Sequence, residues 1–304
     1  MAPLSVANHS DSTTVYRLRR GTAAGLVVAL ALSMGRSETA AQFASGVNVV
    51  EVYASVTNEK GEPVTGLARE DFVVRESGRT QRVTTFAAGE FPLAAAVALD
   101  HSFSMAGERL AVAKSAARLF LAELRPEDES LVIGIGSQVE ILAPRSTGRA
   151  AQYHALEALD VFGTTSLHDA IITAIDAVQD AKGRRALVLL SDGDDRYSKA
   201  SAGDVLSRAR RTDVLVYPVA LGRTRPSLFA ELATLTGGRS FHVRDPKRLG
   251  ETLRGIAREL RHQYLLGYSP SRPIVAGEEE WRAIAVTVNR PGVRVRARDG
   301  YLAR

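Results

Sequence analysis

The sequence predicts an α/β fold, a Rossmann-like, doubly wound and mostly parallel sheet, on three observations. Apolar runs of strand length at 93–99 (LAAAVAL), 130–136 (SLVIGIG) and 186–190 (ALVLL) lack polar alternation, as strands covered on both faces do. Stretches of helical period separate these runs. Strand-like and helix-like segments alternate through residues 90–262, the signature of a sheet with helices on both faces.

The elements follow in order. After 93–99 comes a helix that places Leu110, Ala113, Ala117, Phe120 and Leu124 on one face. Strands at 130–136 and 138–143 (QVEILA) precede helices around 150–159 and over 167–181. The run 186–190 leads to a helix near 202–211, the strand 213–221 (DVLVYPVAL), a helix over 226–236 and a short strand at 240–243 (SFHV). A last helix carries Leu249, Leu253, Ile256 and Leu260 at helical spacing.

Both flanks read as β structure. Residues 47–56 are rich in valine, and 58–63 (NEKGEP) is turn chemistry. DFVVRE, Ser77-Gly78 and QRVTTF read as a hairpin. Three strands are expected in the tail, at QYLLGYSP, WRAIAVTV and VRVRARDGYL. In the last of these Arg294, Arg296 and Arg298 alternate with Val293, Val295 and Ala297, which places the arginines on a solvent face. Each flank is too small to fold alone. Segments 42–89 and 263–304 are therefore expected to pack together as one small β module, with the α/β domain of 90–262 inserted between them.

Residues 1–41 read as a secretory signal peptide. Arg17, Arg19 and Arg20 precede an apolar run over 23–34, and Thr39-Ala40-Ala41 supplies a small-residue cleavage site. The run is shorter than the roughly twenty residues that a membrane-spanning helix needs. The mature chain is expected to have no stable membrane span and to reside in the periplasm, at the cell surface or outside the cell.

Composition excludes several functions. The chain has 304 residues, 45% hydrophobic and 24% charged, which suits a globular protein. It has no cysteine, so disulfide frameworks, zinc fingers, iron–sulfur sites and cysteine nucleophiles are excluded. A net charge of +5 is spread along the chain and not interleaved with aromatics, so no nucleic-acid partner is expected.

Three loops hold the informative chemistry. Asp100, Ser102 and Ser104 follow the run 93–99, Thr165 precedes a helix, and Asp192 follows 186–190. Binding crevices in open α/β sheets lie outside the carboxyl ends of the strands, and all three loops can reach that edge. Two carboxylates and three hydroxyls are hard oxygen donors that suit magnesium, manganese or calcium. Two aspartates balance the charge of a divalent ion and leave it able to accept a carboxylate from outside.

The run DHSFSM matches the Asp-x-Ser-x-Ser signature of von Willebrand factor type A domains, and the threonine loop and the SDG aspartate follow in order. Residues 90–262 resemble such a domain. The flanks, GEPVTGLAREDFVVRESGRTQRVTTF and QYLLGYSP with terminal RARDGYL, resemble a bacterial secreted subfamily. The resemblance implies a metal-ion-dependent adhesion site. Ser102, Ser104 and Thr165 would bind Mg2+ (or Mn2+ or Ca2+) directly, and Asp100 and Asp192 directly or through water. It also implies a protein or extracellular-polymer partner presenting Asp or Glu, with Phe103, His101 and His168 at the contact rim. Many relatives have glycine where Phe103 stands.

Two other readings are open at this level. One is a metal-free scaffold of the cell envelope, whose hydroxyls cap the loops. The other is a magnesium-dependent hydrolase using His101 or His168 as acid–base groups. Against an enzyme, Ser102 stands where an aspartyl-nucleophile phosphatase has a second aspartate. Ser137 in GIGSQV lacks the glycine of a nucleophile elbow, and no P-loop or dinucleotide fingerprint occurs. The expectation is a binding protein and not an enzyme.

Overall fold

The computed structural model describes residues 49–304 except positions 90 and 276. The expected signal peptide, 1–41, lies outside the described residues. Among the described residues, fourteen strands and six α-helices follow in chain order. The N-terminal flank holds β1 (Val50–Asn58), β2 (Phe72–Glu76), β3 (Arg79–Gln81) and β4 (Val83–Gly89). The central part begins with β5 (Leu93–Asp100), α1 (Glu108–Glu123), β6 (Glu129–Ile135), β7 (Val139–Ser146), α2 (Ala150–Ala158) and α3 (Leu167–Val178). It continues through β8 (Arg184–Ser191), α4 (Ala202–Arg210), β9 (Leu215–Leu221), α5 (Ser227–Thr236), β10 (Phe241–Val243) and α6 (Leu249–Arg261). The chain closes with β11 (Gln263–Tyr268), β12 (Glu280–Val288), β13 (Val293–Arg296) and β14 (Gly300–Ala303).

The central sheet has the order β10-β9-β8-β5-β6-β7. All its pairings are parallel except that of the edge strand β7 with β6. Every residue of β5 is buried. Strand periodicity divides it: Leu93, Ala95, Val97 and Leu99 pack with residues of α1 and α6, and Ala96 and Ala98 with residues of α3. This two-sided burial is why the run shows no polar alternation. Beyond β5 the chain moves first to β6 and later, on the other side, to β8, β9 and β10. The carboxyl end of β5 is thus the switch point of the sheet, where a crevice opens.

The flanking strands form two antiparallel four-stranded sheets, β13-β1-β11-β4 and β14-β12-β2-β3. They share one apolar core that includes Val52, Val56, Phe72, Val74, Leu266 and Tyr268. Phe72 and Tyr264 contribute a tilted aromatic pair 5.0 Å apart. The Tyr264 hydroxyl donates to Val64 O at 2.9 Å.

Two sequence expectations change here. The hairpin turn is at Ser77-Gly78, both with positive φ as a two-residue hairpin turn requires, but its return strand ends at Gln81. The Gln81 amide bonds Ser271 Oγ (3.1 Å) and accepts from Ser271 N (3.0 Å), which holds the corner. The chain then joins the other sheet as β4. VRVRARDGYL likewise divides into β13, paired with β1, and β14, paired with β12. Its arginines do not share a solvent face. Arg294 is exposed, Arg296 forms an ion pair with Glu259 of α6, and Arg298 Nε donates to Gly300 O at 2.7 Å. Glu259 also accepts from Tyr217 of β9 (2.9 Å) and Ser55 of β1 (3.2 Å). One buried carboxylate therefore joins the α/β unit to the β module.

Candidate metal centre

The site forms at the carboxyl end of β5. Asp100, its last residue, is fully buried. Asp100 Oδ1 accepts from Ser102 N at 2.9 Å, and Oδ2 accepts from Ser191 Oγ at 2.6 Å. Ser191 Oγ also accepts from Gly193 N at 3.0 Å, which shapes the turn carrying Asp192. Ser102 is buried and Ser104 exposed, with their hydroxyls 3.1 Å apart.

Backbone bonds tie the three loops pairwise. Phe103 N donates to Gly163 O (3.0 Å) and Phe162 N to His101 O (2.8 Å), which joins the first loop to the threonine loop. Arg196 N and Tyr197 N both donate to Thr165 O, at 2.9 and 3.0 Å, which joins the threonine loop to the Asp192 loop. The Ser191–Asp100 bond closes the triangle. Asp100, Ser102, Thr165 and Asp192 thus stand on one braced rim, and Arg109 Nη1 fixes Ser104 by donating to its carbonyl at 3.1 Å.

The electrostatics are unbalanced toward negative charge. Among the described residues neither Asp100 nor Asp192 has an ion-pair partner. Burial pushes the Asp100 carboxyl above its ordinary range, bonds from Ser191 and Ser102 pull it back, and the charge of Asp192 adds to the rise. A buried anion without a cationic partner is costly. The donor set fits a hard divalent ion through Asp100 and Asp192 for charge and Ser102, Ser104 and Thr165 as neutral oxygens. Among the described residues no group of three or more Asp, Glu or His gathers to hold a metal, so an ion here would depend on the hydroxyls.

The nearby acids and histidines are occupied. Asp169 accepts from Lys199 N (3.0 Å) and Ala200 N (2.9 Å). Asp195 accepts from His168 N (3.1 Å) and Ser198 Oγ (2.6 Å). Asp194 pairs with Arg196 at the surface.

The side chains around the opening differ in exposure. Phe103 projects into solvent, 67% exposed. His101 instead turns away from the ligand side, because alternate residues on an extended chain face opposite ways. Its Nδ1 lies 2.7 Å from Asp160 O, and its ring rests against Gly134 and Gly136. His168 is only 17% exposed, with Nδ1 3.1 Å from Ala200 O. Two aromatics absent from the sequence expectation join Phe103: Phe162 is 62% exposed and Tyr197 is 64% exposed. Each stands on a loop bonded into the triangle. Ser191, the partner of Asp100, is not among the site residues the sequence suggests; its place immediately before Asp192 is the only local signal.

Gly193 holds the turn after Asp192 at φ +90°, and a Cβ there would collide with the Pro226 ring. Gly193→Ala is expected to lower stability by about 1–3 kcal/mol and to displace Asp192. Thermal melts alongside a metal titration check this; an unchanged melt with unchanged affinity would contradict it.

Residues 96–194 match the family model of the von Willebrand factor type A domain. That span contains Asp100, Ser102, Ser104, Thr165 and Asp192. No curated protein matches the chain. Among solved structures, a von Willebrand factor type A protein from Catenulispora acidiphila is 14% identical, covering 83% of this chain and 73% of that one at a TM-score of 0.52. Proximal thread matrix protein 1 from the mussel byssus, described with a zinc-occupied MIDAS motif, is 14% identical over 61% of this chain and 49% of that one, TM-score 0.50. BatB from Bacteroides thetaiotaomicron, a conserved hypothetical protein, is 18% identical over 55% of this chain and 98% of that one, TM-score 0.46. The likeness to the first two is one of fold.

Proposed function

We propose that the type A domain of this chain is a metal-dependent binding module that captures an acidic group of a protein or extracellular polymer. The observation that carries this reading is the fully buried Asp100 beside Asp192, with no cationic partner among the described residues. Asp100, Ser102, Ser104, Thr165 and Asp192 would hold the ion, with magnesium proposed first because it is commonly held by one or two carboxylates and keeps waters of its own. A bound divalent ion supplies a Lewis-acidic position that an external carboxylate can complete. Asp100 is held by Ser102 and Ser191, so its carboxylate is oriented before any ion arrives. The zinc described in the mussel protein lends support to a cation in this fold.

Phe103, Phe162 and Tyr197 give the mouth an apolar rim, which suits a partner whose acidic group is flanked by apolar surface. A binding role is favoured over a catalytic one because His101 and His168 are both engaged with loop carbonyls. The basic, apolar leader supports export to the periplasm or cell surface. No helix among the described residues is long and apolar enough to cross a membrane.

An array of peptides with a single Asp or Glu in varied flanks tests the reading, probed with the chain in magnesium and in chelator. Binding confined to acid-bearing peptides and lost in chelator is expected; binding indifferent to chelator would overturn it. Phe103→Ala is expected to weaken the best peptide about tenfold and leave metal affinity unchanged. Equal loss of both would assign Phe103 to the loop's structure instead of the rim.

A further inference from the structure

A second cavity opens at the same edge of the sheet, between α1, the end of β9 and the connection from β10 to α6. It has a volume of about 170 Å³. Its floor is apolar, made by Val112, Leu221, Val243 and Leu249, and Arg109, Arg223 and Arg244 stand around it. No acidic residue lines it. Among the described residues none of these three arginines has an ion-pair partner. Leu249 is the first residue of α6, so the positive end of that helix adds to the potential.

We propose that this cavity binds a small organic acid, a carboxylate carried on a ring-sized apolar body. Size sets the body: a cavity of roughly 150 Å³ lined by apolar side chains accepts benzene. Charge sets the head group. Arginine presents a planar fork that matches a carboxylate; Arg223 and Arg244 offer two such forks, Arg109 adds charge while its Nη1 holds the Ser104 carbonyl, and with no acid among them they exclude cations. A scattered basic surface would bind anions too, but without a concave apolar floor. The floor selects an organic acid over inorganic anions, and the arginines select an acid over an alcohol of the same shape. The site differs from the candidate metal centre in residues and chemistry, although Arg109 touches both.

The test is calorimetric titration of the full chain in chelator, so that its outcome is independent of any metal. The probes are benzoate, cyclohexanecarboxylate, benzyl alcohol and inorganic phosphate. One saturable site is expected for the two acids, with benzyl alcohol at least about tenfold weaker and phosphate unable to displace benzoate at equal concentration. Arg223→Gln combined with Arg244→Gln should weaken benzoate about tenfold or more. Arg225→Gln, exposed on the same loop but outside the cavity, should leave it unchanged. The proposal is overturned by absence of saturable benzoate binding, by benzyl alcohol binding equally well, by displacement with equimolar phosphate, or by an unaffected double variant.

Discussion

Asp192→Ala is expected to lower magnesium affinity by at least about a hundredfold while shifting the melting temperature by no more than about 2 °C. In the proposed site Asp192 would supply one of the two charges, so its loss would leave Asp100 as the sole carboxylate against a divalent ion. Its structural role is small. It is half-buried, and Asp192 Oδ1 accepts a long backbone bond from Asp194 N at 3.3 Å. Asp100→Ala should abolish metal binding as well, but it also strips the acceptor from Ser102 N and Ser191 Oγ. Asp192 is therefore the cleaner probe. Calorimetry with thermal melts on both proteins checks this. Unchanged affinity in the Asp192 variant would remove that residue from the site.

Glu76→Ala is expected to be among the most destabilising single changes in the β module, at about 3 kcal/mol or more. Glu76 and Arg282 are 3% and 2% exposed, and their ion pair measures 3.3 Å. Tyr268 and Tyr301 both donate to Glu76 Oε2, each at 2.9 Å. Burial, the bond to Glu76 and its charge hold the Tyr301 hydroxyl up at about 12. Removing the carboxylate strands a buried guanidinium and two hydroxyls together. Arg282 keeps the carbonyls of Arg272 (2.8 Å) and Pro273 (2.7 Å) and a second partner in Glu280, which sets the expected loss near the lower end of the range for broken buried pairs. Glu76→Ala with Arg282→Met should recover part of that stability, because burying neither charge is cheaper than burying one. Urea denaturation of the three proteins measures the cycle. A loss below about 1 kcal/mol for Glu76→Ala would show the pair behaving like a surface ion pair.

The parts legible in the sequence are those written locally. The run 93–99 announced a strand covered on both faces, and Asp100 at its end announced a crevice residue. The Asp-x-Ser-x-Ser spacing fixed two hydroxyls on one loop. Features that depend on how distant segments meet were hidden. The strand-like run QRVTTF passes through Arg82 unbroken and the valine–arginine alternation continues to Ala297, so nothing local marks where the chain crosses between sheets; the Gln81–Ser271 corner and the Arg296–Glu259 pair do that across long separations. Phe162 and Tyr197 read as ordinary apolar residues, because their exposure follows from loops braced against Gly163 and Thr165. Ser191 sits at the end of an apolar strand and gains meaning only when β8 lies beside β5. The arginine-rimmed cavity draws on three separate segments, with no pattern in any one.

A divalent ion held by Asp100 and Asp192 would leave a position open for an external carboxylate. Water-proton relaxation of the metal-free chain titrated with Mn2+, and then with acetate, tests it most directly. The expected result is one saturable manganese site displaced by magnesium, whose relaxation enhancement falls as acetate replaces a bound water, with neither signal in Asp192→Ala. Absence of bound manganese, or bound manganese indifferent to acetate, would contradict the claim.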